Sequence, residues 1–277
     1  MQDPSKPIWF KKSEESKTNE VSILVCTPVH SECSIHYAQA LLEFQLACLK
    51  RNILVSFLLL KSSLVTQGRN LCVANFLNDP HKYSHLLFID ADIDFNSNSI
   101  FKMINLNKDI IAMPYPMKTL NWERIFAFAD KAKDAKELSN TGYTYPIRVE
   151  DKESIKVKED VMEVTHAPAG CMLIKREVFD KMIKAYPQLK ISQPTILNGE
   201  AKEKENLWNF FDTYHDLETK KYYGEDFGFC KKWTDIGGKC YCYIGDYITH
   251  VGEYQFSGRF KDELIHVRKI DEIDKNK

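Results

Sequence analysis

The sequence predicts an α/β fold, a doubly wound and mostly parallel central sheet flanked by helices, and three observations predict it. The apolar runs "VSILVCTPV", "ILVSFLLL", "HLLFIDADI" and "DIIAMPYP" are of strand length and unbroken, as in strands buried on both faces. Between them lie segments whose apolar residues recur three and four apart, the period of a helix. The third run ends in acids at alternate positions, which sets carboxylates at the carboxyl end of a strand, where open α/β sheets take their ligands.

Taken in order, residues 1–20 are polar, charged and without an apolar period, and read as a flexible arm. Order begins at Val21 with the first strand. "SIHYAQALLEFQLACLKRN" follows as a helix with Ser34 as its N-cap. The alternation continues through "ILVSFLLL", a helix over "LVTQGRNLCVANFLND", the strand "HLLFIDADI", a shorter helix over "SNSIFKMINL" and the strand "DIIAMPYP". From Met117 to Glu163 the chain is rich in Lys, Asp, Glu and Gly around the strand-like "TYPIRVE", so an inserted segment of loops and short strands is expected. "VMEVTHAPAGCMLIKREVFDKMIKAY" then reads as strand, glycine turn, strand and helix. Pro187 to Thr219 is a second polar stretch and reads as a loop near a substrate opening. "YYGEDFGFCKKWTDIGG" is a helix with a glycine stop, "KCYCYIGDYITHVG" a strand ending in His and Gly, and 259–277 a charged tail. No internal repeat is present.

Composition narrows the function. Lys and Arg number 38 against 39 Asp and Glu, so no net field favours nucleic acid or an anionic membrane. "ILVSFLLL" is too short to span a bilayer and the N-terminus lacks the apolar centre of a signal peptide, so the expectation is a soluble, cytoplasmic chain. Eight cysteines without a CxxC pair read as free thiols of a reducing compartment; a zinc site on Cys230, Cys240 and Cys242 would have poor spacing.

The chemistry starts at Asp90, Ala91 and Asp92. In extended chain the two acids, with Asp94 beyond them, crowd like charges onto one side and need a cation or hydrogen-bond donors. A hard divalent cation takes carboxylate oxygens and would neutralise a nucleotide diphosphate. The competing reading is that one acid caps the helix near Ser97 and the others are solvated. "GEDFGFC" adds Glu225 and Asp226 at a helix start, and "THVG" adds His250 at the end of the last strand.

This order of "FIDADI", "GED" and "THVG" resembles the GT-A fold glycosyltransferases, across Val21 to Gly258. The resemblance implies one catalytic domain over 21–258, with a donor nucleotide half at 21–116 and an acceptor half at 117–258. It implies a metal site in which Asp92 is the direct ligand, His250 the nitrogen ligand and Asp90 a contact to ribose or to the metal's water shell. The mixed shell points to Mn²⁺, with Mg²⁺ as the alternative. Thr27, Pro28 and His30 in "CTPVH" become candidates for the base and ribose, and Arg69 in "QGRN" for the diphosphate or a uracil carbonyl. Lys118 is placed to meet a phosphate, Trp122 to stack on a sugar, and Gly170 to let backbone approach the donor. Glu225 and Asp226 fall on the acceptor side, with Asp226 the candidate base that takes the proton of the incoming hydroxyl.

The implied activity is transfer of a hexosyl or N-acetylhexosaminyl group from a nucleotide-diphosphate donor, UDP-linked, to a hydroxyl on a glycan, glycoprotein or glycolipid, with inversion. Two alternatives stay open. A sugar-1-phosphate nucleotidyltransferase would use similar acids, although no Gly-rich, basic loop follows the first strand. A nucleotide-sugar-binding protein without turnover would keep the fold alone.

Overall fold

The computed structural model describes residues 21–149, 155–192, 194–197 and 200–264. The arm expected over 1–20, and the charged tail from 265 onward, lie outside the described residues.

In chain order the strands and helices are β1 (Ser22–Val29), α1 (Ile35–Lys50), β2 (Leu54–Lys61), α2 (Val65–Asn78), β3 (His85–Ile89), β4 (Ile93–Asp94), α3 (Ser97–Asn105) and β5 (Ile110–Ala112). Then come α4 (Trp122–Phe128), α5 (Ala135–Thr141), β6 (Val157–Lys158), β7 (Val161–Val164), β8 (Cys171–Lys175) and α6 (Arg176–Ala185). The remainder is β9 (Pro194–Leu197), β10 (Glu200–Glu203), β11 (Tyr214–His215), β12 (Tyr222–Tyr223), α7 (Glu225–Asp235), β13 (Cys240–Tyr243), β14 (Ile248–Val251) and β15 (Gln255–Gly258).

The central sheet has eight strands in the order β2-β1-β3-β8-β5-β13-β7-β6. β8 and β7 run against the other six, so the sheet is mostly parallel in strand direction. Helices cover both faces, and the strands sort their side chains between them by alternation. Leu24 and Cys26 of β1, Leu86 and Phe88 of β3 and Met172 and Ile174 of β8 meet α2, α6 and α7 through Phe76, Phe179 and Phe229. Ile23 and Val25, Leu87 and Ile89, and Leu173 face the other way, onto Tyr37 and Phe44 of α1 and Ile100 and Met103 of α3. An unbroken apolar run is what this two-sided burial requires.

Local chemistry sets the helix ends. Ser34 caps α1 by accepting from the Tyr37 amide, and Asn96 caps α3 by accepting from the Asn98 amide, so no acid of the Asp90–Asp94 stretch is the cap. α7 stops at Gly237, whose φ of +85° suits glycine.

Four segments differ from the sequence reading. β8 enters antiparallel between β3 and β5, because an apolar run does not encode strand direction. "KCYCYIGDYITHVG" is two strands: β13 stays in the main sheet, while β14 pairs with β15 and β4 in a separate antiparallel sheet. The stretch 117–163 contains α4 and α5, and among the described residues of "TYPIRVE" only Arg148 enters a ladder, as an isolated bridge to His166. The polar stretch 187–219 holds the β9–β10 hairpin and sends Leu207, Trp208, Phe210 and Phe211 into the interior. Phe211 stacks on Phe229 at 4.2 Å between ring centroids. At the start of the expected tail, Phe260 is buried against Tyr145.

All eight cysteines are free thiols, and only Cys33 is exposed. Among the described residues no helix is long and apolar enough to cross a membrane.

Asn70 fastens the 207–211 segment to α2. Its buried amide donates to Asn209 Oδ1 (3.0 Å) and the Phe211 carbonyl (2.9 Å), and its Oδ1 accepts from the Phe211 amide (2.9 Å). Asn70→Ala strands the Phe211 amide and carbonyl in the interior. A loss of about 2–4 kcal/mol in urea unfolding is expected, with the m-value unchanged.

Candidate functional site

Strand order determines where a ligand site is expected. The chain leaves β1 for β2 on one side and returns through α2 to β3 on the other, so β1 and β3 flank a switch point at their carboxyl ends. The turn after β3 carries Asp90, Ala91 and Asp92. It is pinned from two sides: the Asp90 amide donates to the Gly170 carbonyl (2.9 Å), and the Ala91 carbonyl accepts from the amide of the cap residue Ser34 (2.8 Å).

The two acids of the turn go to different partners. Asp90 accepts from Arg69 Nη2 at 2.9 and 3.2 Å. Arg69 is only 3% exposed and gives its remaining donors to Glu225 Oε1 (Nε, 3.0 Å) and the Ala169 carbonyl (Nη1, 3.4 Å), over the ring of Phe88. Burial alone would make the guanidinium easier to deprotonate, but Asp90 and Glu225 outweigh it and hold the charge in place. Arg69, expected at the diphosphate, therefore spends its Nε, Nη1 and Nη2 donors inside the protein, and Asp90, expected at ribose or metal, is turned toward Arg69.

Asp92 faces the other way. Its Oδ2 lies 2.6 Å from Lys118 Nζ and 3.3 Å from His250 Nε2. Burial would raise its pKa, but hydrogen bonds and charge from His250 and Lys118 bring it down to about 2, so it is ionised. His250 arrives through strand register: it sits opposite Ile93 in the β14–β4 ladder, and the next amide, Val251, donates to the Asp92 carbonyl (2.7 Å). The imidazole packs edge-on to Tyr115, and its Nδ1 lies 3.0 Å from the Pro116 carbonyl. A carbonyl only accepts, so Nδ1 carries a proton. Nε2 is then the ring nitrogen that faces the carboxylate.

That arrangement bears on a metal. A tautomer fixed by a backbone carbonyl, with Nε2 directed at an ionised carboxylate, is a donor set that suits a divalent cation, Mn²⁺ as well as Mg²⁺. Among the described residues no three His, Cys, Asp or Glu side chains are arranged so that they could hold a metal ion. Asp92 and His250 would thus be the protein's share of the shell, with phosphate and water supplying the rest. The same finding applies to Cys230, Cys240 and Cys242, which are buried thiols.

Across the turn stands the start of α7. Asp226 is half-buried and its Oδ1 accepts from the Phe227 amide (2.8 Å). Burial first, then the adjacent Glu225, raise its pKa to about 6, against the opposing pull of Arg69 and of the Phe227 and Ala169 backbone. This is a carboxylate whose proton affinity suits a general base near neutral pH.

Tyr115 lies between the two groups and escaped the sequence reading. Burial, then Asp90 and Asp226, hold its hydroxyl well above the usual tyrosine range. Its ring lies against Gly170, where a Cβ would come within 2.5 Å of the ring. The glycine is thus required by Tyr115. Its signal was "PYP" directly after β5, at the same sheet edge as "DAD".

The other candidates are more scattered. Thr27 is fully buried and hydrogen-bonds to Tyr37, bracing β1 against α1. Pro28 is half-buried beside Gly68, and His30 is exposed past the end of β1. Trp122 opens α4 and is 62% exposed. Asp94 pairs with Thr249 in the small sheet, and the charged groups that act on its carboxylate are His36 and Glu43.

No protein-family model matches the chain. No curated protein matches it by sequence. Among solved structures it is similar to A197 from STIV, at 17% identity over 84% of this chain and 86% of that one, with a TM-score of 0.43. It is also similar to 4-diphosphocytidyl-2C-methyl-D-erythritol synthase from Anaerococcus prevotii, at 7% identity over 78% of this chain and 99% of that one, with a TM-score of 0.33. The chemistry is therefore read from the site itself.

The Arg69 tie makes a stability prediction. Arg69→Met leaves Asp90 and Glu225 near one another without a counter-charge, and a loss of about 3–5 kcal/mol in chemical denaturation is expected. Adding Asp90→Asn and Glu225→Gln to the same chain should restore a large part of it.

Proposed function

We propose that the chain is a metal-dependent glycosyltransferase that moves a sugar from a nucleotide-diphosphate donor, UDP-linked, to a hydroxyl acceptor with inversion. The observation that carries this reading is the division of the site: an ionised Asp92 beside His250 and Lys118 on one side, and Asp226, shifted toward neutral pH, on the other. One half suits a diphosphate, the other a proton.

On this reading Asp92 and His250 hold the cation, which when bound offsets the charge developing on the departing diphosphate. Lys118, now paired with Asp92, is long enough to exchange that carboxylate for a phosphate oxygen of the donor. Trp122 offers an exposed ring to the sugar. Asp226 orients the acceptor hydroxyl and takes its proton as the new glycosidic bond forms on the face opposite the leaving group. Arg69 acts through Asp90 and Glu225: it fixes the turn after β3 and the first turn of α7 relative to each other, so that donor and base stay aligned.

The donor half is tested by calorimetric titration of UDP with Mn²⁺. Asp92→Ala should abolish the metal-dependent part of the affinity with the fold intact, and His250→Ala should weaken it less. Unchanged metal dependence in both variants would remove the pair from the site. Release of pyrophosphate in place of UDP during turnover would assign the chain to nucleotidyl transfer.

The base is tested by Asp226→Asn with two readouts. Transfer should fall by about a hundredfold or more, the scale of general-base catalysis. Wild-type transfer should itself decline as pH drops below about 6, when Asp226 takes up its proton. Stability should move the other way. Because its folded pKa lies above its unfolded one, Asp226 favours folding below the unfolded value and loses that contribution as pH rises through about 6. At pH 7 the asparagine variant should thus melt at or above the wild-type temperature, by up to about 3 kcal/mol in stability. A variant that transfers normally, or one that melts well below wild type, would remove Asp226 as the base.

A further inference from the structure

We propose that Arg148 binds an anionic group, a carboxylate or a phosphate, on a sugar acceptor. The guanidinium lies over the rings of Tyr223 and Phe227, 4.8 and 5.2 Å from their centroids. Phe227 follows Asp226 in the first turn of α7, so this cation borders the acceptor side of the site.

Three separate segments build the platform. The Arg148 amide and carbonyl bridge to His166, and β11 pairs Tyr214 with Tyr223. Tyr214 stacks on Tyr223 (5.8 Å), Tyr223 on His166 (6.1 Å) and His166 on Phe227 (4.8 Å), a ladder of four rings with small interplanar angles. His166 adds no charge to it: burial, then Arg148 and Lys231, bring its pKa down to about 4. Its Nδ1 is within hydrogen-bond reach of Thr165.

What sets Arg148 apart is that its guanidinium has no hydrogen-bond or ion-pair partner among the described residues. Arg51, Arg69, Arg124, Arg176 and Arg259 each donate guanidinium hydrogen bonds to a carbonyl or carboxylate. Among the described residues Arg148, although exposed, pairs with none. With one face laid on aromatic rings, its in-plane N–H fork is unpaired among the described residues, which is the geometry that takes a carboxylate or phosphate with two parallel hydrogen bonds. The rings already restrict its rotamers, so less entropy is lost on binding than for a free surface arginine. Tyr214 and Tyr222, 38% and 67% exposed on the adjoining hairpin, offer ring faces to the C–H face of a pyranose.

The term acceptor rests on the glycosyltransferase reading; the anion site does not. The test titrates the full chain by calorimetry with glucose, glucuronic acid and glucose 6-phosphate, the two acids separating a carboxylate source from a phosphate source. At least one of them should bind about tenfold or more tightly than glucose, the worth of one charge-assisted contact. Arg148→Gln should bring all three within about twofold, and Arg148→Lys, which keeps the charge but loses the fork, should fall between. If the glutamine variant fails to fold, the lysine variant carries the comparison. UDP with Mn²⁺ is titrated against the same proteins. Discrimination between acidic and neutral sugar that persists in a chain without UDP binding would keep the anion site and discard the glycosyltransferase reading. Equal binding of acidic and neutral sugars by the wild type, or discrimination that survives Arg148→Gln, would overturn the proposal.

Discussion

The guanidinium of Arg69 is the contact on which the site depends. It is buried at the start of α2, between a carboxylate from the turn after β3 and another from the first turn of α7. A buried charge without partners costs several kcal/mol, so α2, β3 and α7 cannot move independently without separating charges. The tie also explains why Asp90 and Asp92, close together in one turn, do not repel: one is compensated from within by Arg69 and the other by Lys118 and His250. Asp226 has no ion-pair partner of its own among the described residues to offset its burial and the adjacent Glu225, so its pKa stays raised.

A second constraint is a matter of register. In the small sheet His250 lies opposite Ile93, and the Val251 amide reaches the Asp92 carbonyl. A slip of one residue would turn the imidazole to the other face and put Thr249 or Val251 in its place. The pairing of two short strands, distant in sequence, thereby decides whether an imidazole meets the carboxylate at all.

The sequence was most informative where a pattern has one structural meaning. Unbroken apolar runs gave β1 and β2, and the helical period gave α1, α2 and α3, to within a residue or two; β3 starts where expected but ends at Ile89, because the acids turn the chain before Ile93. Ser34 was legible as a cap, since a hydroxyl before a periodic segment has few other uses there. It was silent where the pattern is shared by different structures. "CMLI" reads alike in either direction, so the antiparallel entry of β8 could not be seen. "LWNFF" sits in a polar stretch, and its burial depends on Asn70, far away in sequence. In the site, the residue types stood out but their partners did not. Arg69 looked like a donor to a ligand, and only three-dimensional proximity to Asp90 and Glu225 shows that its Nε, Nη1 and Nη2 donors are spoken for.

The approach of Tyr115 to Gly170 reaches beyond packing. A methyl at position 170 would overlap the tyrosine ring, and the ring touches the edge of His250 on its other side. Size at one position therefore limits size at the other. Any lineage that enlarges residue 170 must shrink residue 115 in the same step or accept a displaced imidazole, so the two positions should drift together, as a pair under shared selection, even though neither carries a charge.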